Sequence, residues 1–157
     1  MLIAGEAHER WMDAALREAA RAAEEDEVPV GAVIVHEGRI IGRGHNRTEA
    51  TKDPTAHAEI LAIGAASEAL RSRRLEGATL YVTLEPCFMC AGAIVLARIE
   101  NLVFGALDPK AGACVSLASV VQDPRLNHRV RVLHGVREEE CSVLLADFFR
   151  KKREKAE

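Results

Sequence analysis

From residue 8 to about residue 25 the apolar positions Trp11, Ala15, Leu16 and Ala19 recur at helical spacing, and the segment ends in the acidic "EEDE" before Pro29. That period predicts an amphipathic helix. The pattern then shifts. "VGAVIV" (30–35) is a β-branched run, "HEGR" is a turn with Gly38 available for a positive φ, and "IIGRG" (40–44) returns as a second strand. After a polar loop, Asp53-Pro54 marks an expected helix start, with the aspartate as N-cap and the proline at the first helical position. This helix should run to about Leu70. "ATLYVTLE" (78–85) reads as a strand, Pro86 is expected to open the helix "CFMCAGAIVLARI", and "NLVFGA" (101–106) is a further strand. "VRVLHGV" (130–136) makes a short final strand. A closing amphipathic helix over about 137–155 has Val143, Leu144, Ala146 and Phe148 as candidate buried positions.

Strands separated by helices of about a dozen residues favour helices packed over one sheet. A β-α-β crossover between 78 and 106 should make those two strands parallel. The expectation is a three-layer α/β fold. With 157 residues, a single domain over 1–157 is expected, and 48 % hydrophobic residues supply its core.

Charge and cysteine content narrow the function classes. The net charge of −3 carries no message about nucleic acid, but "RKKREK" (150–155) places five basic residues among six. The 4 cysteines, Cys87, Cys90, Cys114 and Cys141, are too few for a disulfide scaffold. The N-terminus lacks a basic region followed by an apolar stretch, and nowhere do 18 apolar residues run together, so neither secretion nor a membrane span is expected. A reducing, cytoplasmic setting follows as the expectation.

The candidate chemistry lies in "PTAHAEI" (54–60) and "LEPCFMC" (84–90). His57 sits in the first turn of its expected helix, with Glu59 about 200° round the axis. Cys87 and Cys90 are i and i+3 on one face. Helix N-termini favour thiolate over thiol, as metal ligation requires. One histidine and two thiolates are three donors, the number typical of a catalytic zinc with water in the fourth position, whereas structural sites have four. Cys114 and Cys141 lack partners, and His36, His45, His128 and His134 are scattered. Water on such a site ionises near pH 7 instead of ~15.7, and Glu59 beside it can carry its proton to a ring nitrogen and then to a departing amine. H-x-E followed by P-C-x-x-C is the described signature of zinc nucleobase deaminases. Taken singly, an H-x-E on a helix is commonly surface polarity, and a C-x-x-C is shared among zinc ribbons, redox pairs and chance. Together, each near a helix start preceded by proline, they favour catalytic zinc.

"EVPVGAVIV", "GHNR", "DPTAHAEI", "TLYVTLEPCFMCAGAI", "VFGALDPKAGA", "NHRV" and "DFFR" give nearly the whole chain a pattern that resembles the bacterial tRNA adenosine deaminases of the cytidine deaminase superfamily. The resemblance implies a three-layer α-β-α fold with a central mixed five-stranded sheet, and hydrolysis of adenosine to inosine at the wobble position of a tRNA anticodon. It implies one Zn2+ per subunit on His57, Cys87 and Cys90, with Glu59 as proton shuttle. It places Asn46 on the target nucleoside, the Ala58 N–H at the base edge, Val30 in the wall of the base pocket, Asp108 beside a neighbouring sugar, and Phe149 with the basic residues after it on the anticodon loop. Family members are homodimers whose tRNA site draws on both subunits.

Some of these residues read in two ways. Asn46 also reads as a turn residue after a strand, Asp108 before Pro109 is equally a turn former, and the basic tail also reads as a solvated, fraying helix end. Cys114-Val115-Ser116 departs from relatives that have glycine before the serine, which predicts a stiffer loop there. The alternative function is the same chemistry on a free base or nucleoside such as guanine or cytosine; a non-catalytic zinc or RNA-binding module is the reading from another class.

Overall fold

The computed structural model describes residues 5–156. Its elements follow the chain as α1 (Gly5–Glu24), β1 (Gly31–His36), β2 (Arg39–His45), a short α2 (Thr48–Thr51), α3 (Ala58–Leu70), β3 (Thr79–Leu84), α4 (Phe88–Leu96), β4 (Asn101–Ala106), β5 (Arg131–His134) and α5 (Glu138–Ala156). The sheet order is β2-β1-β3-β4-β5. β1 is antiparallel to both β2 and β3, while β3, β4 and β5 run parallel, so the expected mixed five-stranded sheet is present. At the β1–β2 turn both Glu37 (φ 51) and Gly38 (φ 73) lie in the left-handed region, the conformation a tight hairpin matching strand twist requires.

The strict alternation of strand side chains builds two cores. Ala32, Ile34, Leu80, Val82, Leu102 and Phe104 face α3 and α4, packing against Ala58, Ala62, Ala91 and Ile94. Val33, Val35, Tyr81 and Val103 face the other way, onto Met12 and Ala15 of α1 and Cys141 of α5. That makes three layers. Trp11 packs half-buried at the margin under the Arg10 guanidinium, 4.3 Å from its ring centroid, while Met12 takes the fully buried place.

α3 lies unusually close to β2. A Cβ on Gly44 would overlap the Ala58 carbonyl and Ala62 nitrogen, and one on Gly42 the corresponding groups of Ala62 and Ala66. The facing alanines at 58, 62 and 66 are therefore matched to missing side chains on the strand, and the pairing brings the start of α3 beside the end of β2.

Two expected helix starts shift. α3 begins at Ala58, not Pro54, because the Asp53 carboxylate accepts the Thr55 N–H (2.8 Å) and hydroxyl (2.7 Å) in a turn of its own. α4 begins at Phe88, not at Pro86 or Cys87. α5 also departs from expectation: of its residues only Cys141 is buried, Leu144 and Phe148 are half-buried, and Val143 and Ala146 face solvent. Cys141 fits against Gly105 of β4, and of the later residues Leu145 packs half-buried against the core. Among the described residues no helix is long and apolar enough to cross a membrane.

Candidate active site

His57 and Cys87 are the N-cap residues of α3 and α4, both with extended backbone (ψ 152 and −180), and neither side chain caps its own helix. A cap residue whose side chain is not turned back to the helix can point outward. Their carbonyls instead close the first turns, accepting the Leu61 N–H at 3.1 Å and the Ala91 N–H at 2.8 Å. The two helix N-termini thus present His57, Cys87 and Cys90 to a common point.

His57 Nδ1 lies 3.7 Å from Cys87 Sγ and 3.6 Å from Cys90 Sγ, and all three donor atoms fall within 4.8 Å of one another. A tetrahedral ion with Zn–S of about 2.3 Å and Zn–N of about 2.0–2.1 Å demands an N···S edge of about 3.5–3.6 Å. The donor set fits. Among the described residues no other group of three such side chains converges this way. Hydrogen bonds from Cys90 and His57 hold the Cys87 thiol down at about 3, and the adjacent Cys87 sulfur pushes the Cys90 thiol far upward. That opposition is what two sulfurs sharing one proton produce; a dication takes both as thiolates and displaces the proton.

Glu59, in the first turn of α3, is 4 % exposed, and burial lifts its carboxyl to about 7. It adjoins the triad without belonging to the convergent donor group.

Asn46 follows β2 directly. Its Oδ1 accepts the Ala58 N–H at 2.8 Å and its own N–H donates to the Val30 carbonyl at 3.1 Å. The asparagine thereby caps α3 from outside the helix and joins it to the start of β1. The Ala58 N–H is already engaged within the protein, and the Asn46 Nδ2 donors have no partner among the described residues. Val30 is 5 % exposed and belongs to the core beside this junction.

Asp108 acts as a turn former, its Oδ1 accepting the N–H groups of Lys110 and Ala111, each at 3.2 Å. It also lines a cleft of about 730 Å³ together with Val28, Leu107, Lys110, Phe149 and Arg153. The metal triad does not line this cleft. Phe149 is 45 % exposed and meets Phe148 edge-on at 5.4 Å. Two of the five basic residues in the tail are held in ion pairs: Lys152 with Asp26 at 3.0 Å and Arg150 with Asp147 at 3.3 Å.

Sequence reasoning missed three buried glutamates. Glu85, 2 % exposed, receives the backbone N–H groups of Asp108, Cys114, Val115 and Ser116 and the Ser116 hydroxyl. Despite its burial, these hydrogen bonds hold its carboxyl down at about 2. Glu27, also 2 % exposed, takes the N–H groups of Glu49 and Ala50. Glu18 contacts His45 Nδ1 at 3.4 Å, and Glu25 reaches the same ring's Nε2 at 3.1 Å. The available signal was the charge itself: a glutamate closing an apolar strand, as in "YVTLEPC", must find partners if it is buried. Val115 directs its side chain outward at 46 % exposure and has no positive φ, so the residue that departs from glycine is accommodated without strain.

The MafB19-like deaminase family matches residues 6–153. A sheet of this topology, with histidine and two cysteines on facing helix N-termini and a buried glutamate alongside, defines a deaminase of the cytidine-deaminase-like fold. The tRNA-specific adenosine deaminase of Bacillus subtilis is 54 % identical over 94 % of this chain and 91 % of its own length. That of Aquifex aeolicus is 54 % identical over 92 % and 95 %. A solved structure from a study of A-to-I editing by tRNA:A34 deaminases superimposes with a TM-score of 0.84 at 51 % identity, covering 87 % of this chain and 99 % of that one. The guanine deaminase of Bacillus subtilis shares 39 % identity over 64 % of each chain, with a TM-score of 0.61. The chain belongs to the tRNA-specific adenosine deaminases.

Proposed function

We propose that this protein hydrolyses adenosine to inosine at the wobble position of a tRNA anticodon, with one Zn2+ per chain on His57, Cys87 and Cys90. The observation that carries the chemistry is the three-donor edge of 3.6–3.7 Å beside a buried carboxylate that is not a donor. Held by His57, Cys87 and Cys90, the ion would lower the pKa of water and so supply the nucleophile at neutral pH. Glu59 moves the proton, first toward the purine ring nitrogen and then toward the departing amine; its burial keeps it poised to exchange that proton. Asn46 Nδ2 donates to the nucleoside, its orientation set by the Oδ1 contact to the Ala58 N–H. That contact leaves the Ala58 N–H to serve the base edge only by sharing or exchanging its partner. Val30, buried against the Asn46 junction, walls the base.

The cleft lined by Asp108, Lys110, Phe149 and Arg153 is the surface we assign to the nucleotides around the extruded base. A half-exposed aromatic ring suits stacking on an unpaired base, and the flanking cations suit phosphates. α4 buries Ala91, Ile94 and Val95 yet leaves Phe88 (54 %) and Leu96 (74 %) to solvent, which supports a homodimer covering that second apolar face. A cytoplasmic location suits a tRNA substrate and reduced thiolates. The alternative, deamination of a free base such as guanine, has no use for the aromatic and basic cleft. Incubation with an anticodon stem-loop and, separately, with free guanine, cytosine and adenosine tests the choice. Inosine in the RNA alone is expected; turnover of a free base with the RNA untouched overturns the proposal.

A further inference from the structure

The loop from Leu107 to Ser116 supplies the cleft with Leu107, Asp108, Lys110 and Ala111, yet it has no regular secondary structure to hold it. Five of the donors that tie it down converge on one carboxylate. Glu85 Oε1 accepts the Asp108 N–H at 2.9 Å, and Oε2 accepts the N–H groups of Cys114, Val115 and Ser116 at 3.1, 2.8 and 2.8 Å. The Ser116 hydroxyl completes the set on Oε1. The Ala113 N–H reaches the Pro86 carbonyl at 2.9 Å, adding a backbone tie. Gly112 lies so close that any Cβ there would overlap the Glu85 carboxylate. The loop is wrapped round an anion, like a backbone nest inverted on a protein side chain.

Glu85 also stands two residues before Cys87, at the point where β3 passes into the metal-binding turn. We infer that Glu85 is a positioning residue which fixes the Asp108 arm of the substrate cleft relative to the Cys87 arm of the metal centre. It touches no reacting atom. Its effect on the reaction is to keep the two halves of the site, one for the base and one for the flanking nucleotide, at a constant separation. Losing that hold weakens the grip on the flanking nucleotide and leaves the metal centre itself unaltered.

This inference rests on the reading of the cleft as the RNA site, so its test has one arm that does not. In Glu85→Gln the amide oxygen can still accept the three N–H groups at 114–116. The amide NH2 would then face Ser116 Oγ, which can turn to accept, and the Asp108 N–H, which cannot. The variant therefore detaches the Asp108 arm selectively. Backbone amide exchange should quicken at Asp108 by about tenfold or more, with much smaller changes at 114–116 and with one zinc per chain retained. On the stem-loop, KM should rise about tenfold while kcat stays within about threefold. If Glu85→Gln does not fold, Gly112→Ala, whose Cβ presses on both carboxylate oxygens without altering their charge, is expected to quicken exchange at Asp108 and at 114–116 together, with the same rise in KM and with zinc retained. Unchanged exchange at Asp108, an unchanged KM, or loss of zinc with a fall in kcat alone would each overturn the inference. Failure of the wild-type protein to deaminate the stem-loop would instead refute the RNA reading, and the exchange measurement would still decide what Glu85 holds.

Discussion

The metal triad and the cleft beside α5 are built on opposite plans. His57, Cys87 and Cys90 stand on the first residues of two helices, and Glu59 beside them is sealed from solvent. Asp108, Phe149 and Arg153 come from a loop and from the outer end of a helix of which only Cys141 is buried. The first region has its geometry imposed by elements packed on the sheet. The second is held by exposed contacts, by Ala113 and Cys114 seated in the core, and by the buried carboxylate of Glu85. Bond making demands sub-ångström placement of a few atoms, whereas a flexible polyanion is bound by a surface that can adjust.

If this contrast is right, substitutions should fall in a graded series. Glu59→Ala should lower kcat by about 10² to 10⁴-fold while metal analysis still finds zinc, because the glutamate carries protons and no ion. Undiminished turnover would break the proposed mechanism. Cys87→Ser should lose zinc affinity by orders of magnitude and lower thermal stability together, since ion binding and folding are linked; unaltered zinc content would remove Cys87 from the ligand set. Phe149→Ala should raise the stem-loop KM about tenfold with little change in kcat, a stacking loss without effect on the metal centre. Lys152→Ala should change unfolding free energy by no more than about 0.5 kcal/mol in denaturant melts, because its pairing with Asp26 is exposed. A large destabilisation there would show that the α5 end is held far more firmly than its exposure indicates.

The same division governed what could be read before the fold was known. The order of elements, the antiparallel hairpin and the parallel β3–β4 crossover follow from runs of apolar residues and their period, a purely local signal. The metal donors were legible because ligand spacing is also local: Cys87 and Cys90 are close in sequence whatever the rest does. The helix starts were less so. Asp53-Pro54 has the composition of a start, but a turn closed on Thr55 competed with it, and the cap of α3 came from Asn46, twelve residues earlier in the chain.

What the amino-acid order determined alone is the set of chemical groups and the fold class that carries them, because both depend on residue type and short-range periodicity. Tertiary structure decided that Gly42 and Gly44 would admit the backbone of α3, and so where Glu59 lies. It also decided that an unremarked glutamate would organise a loop beginning more than twenty residues away. A buried charge must be satisfied by whatever donors the fold brings to it, and which donors those are is a property of three dimensions.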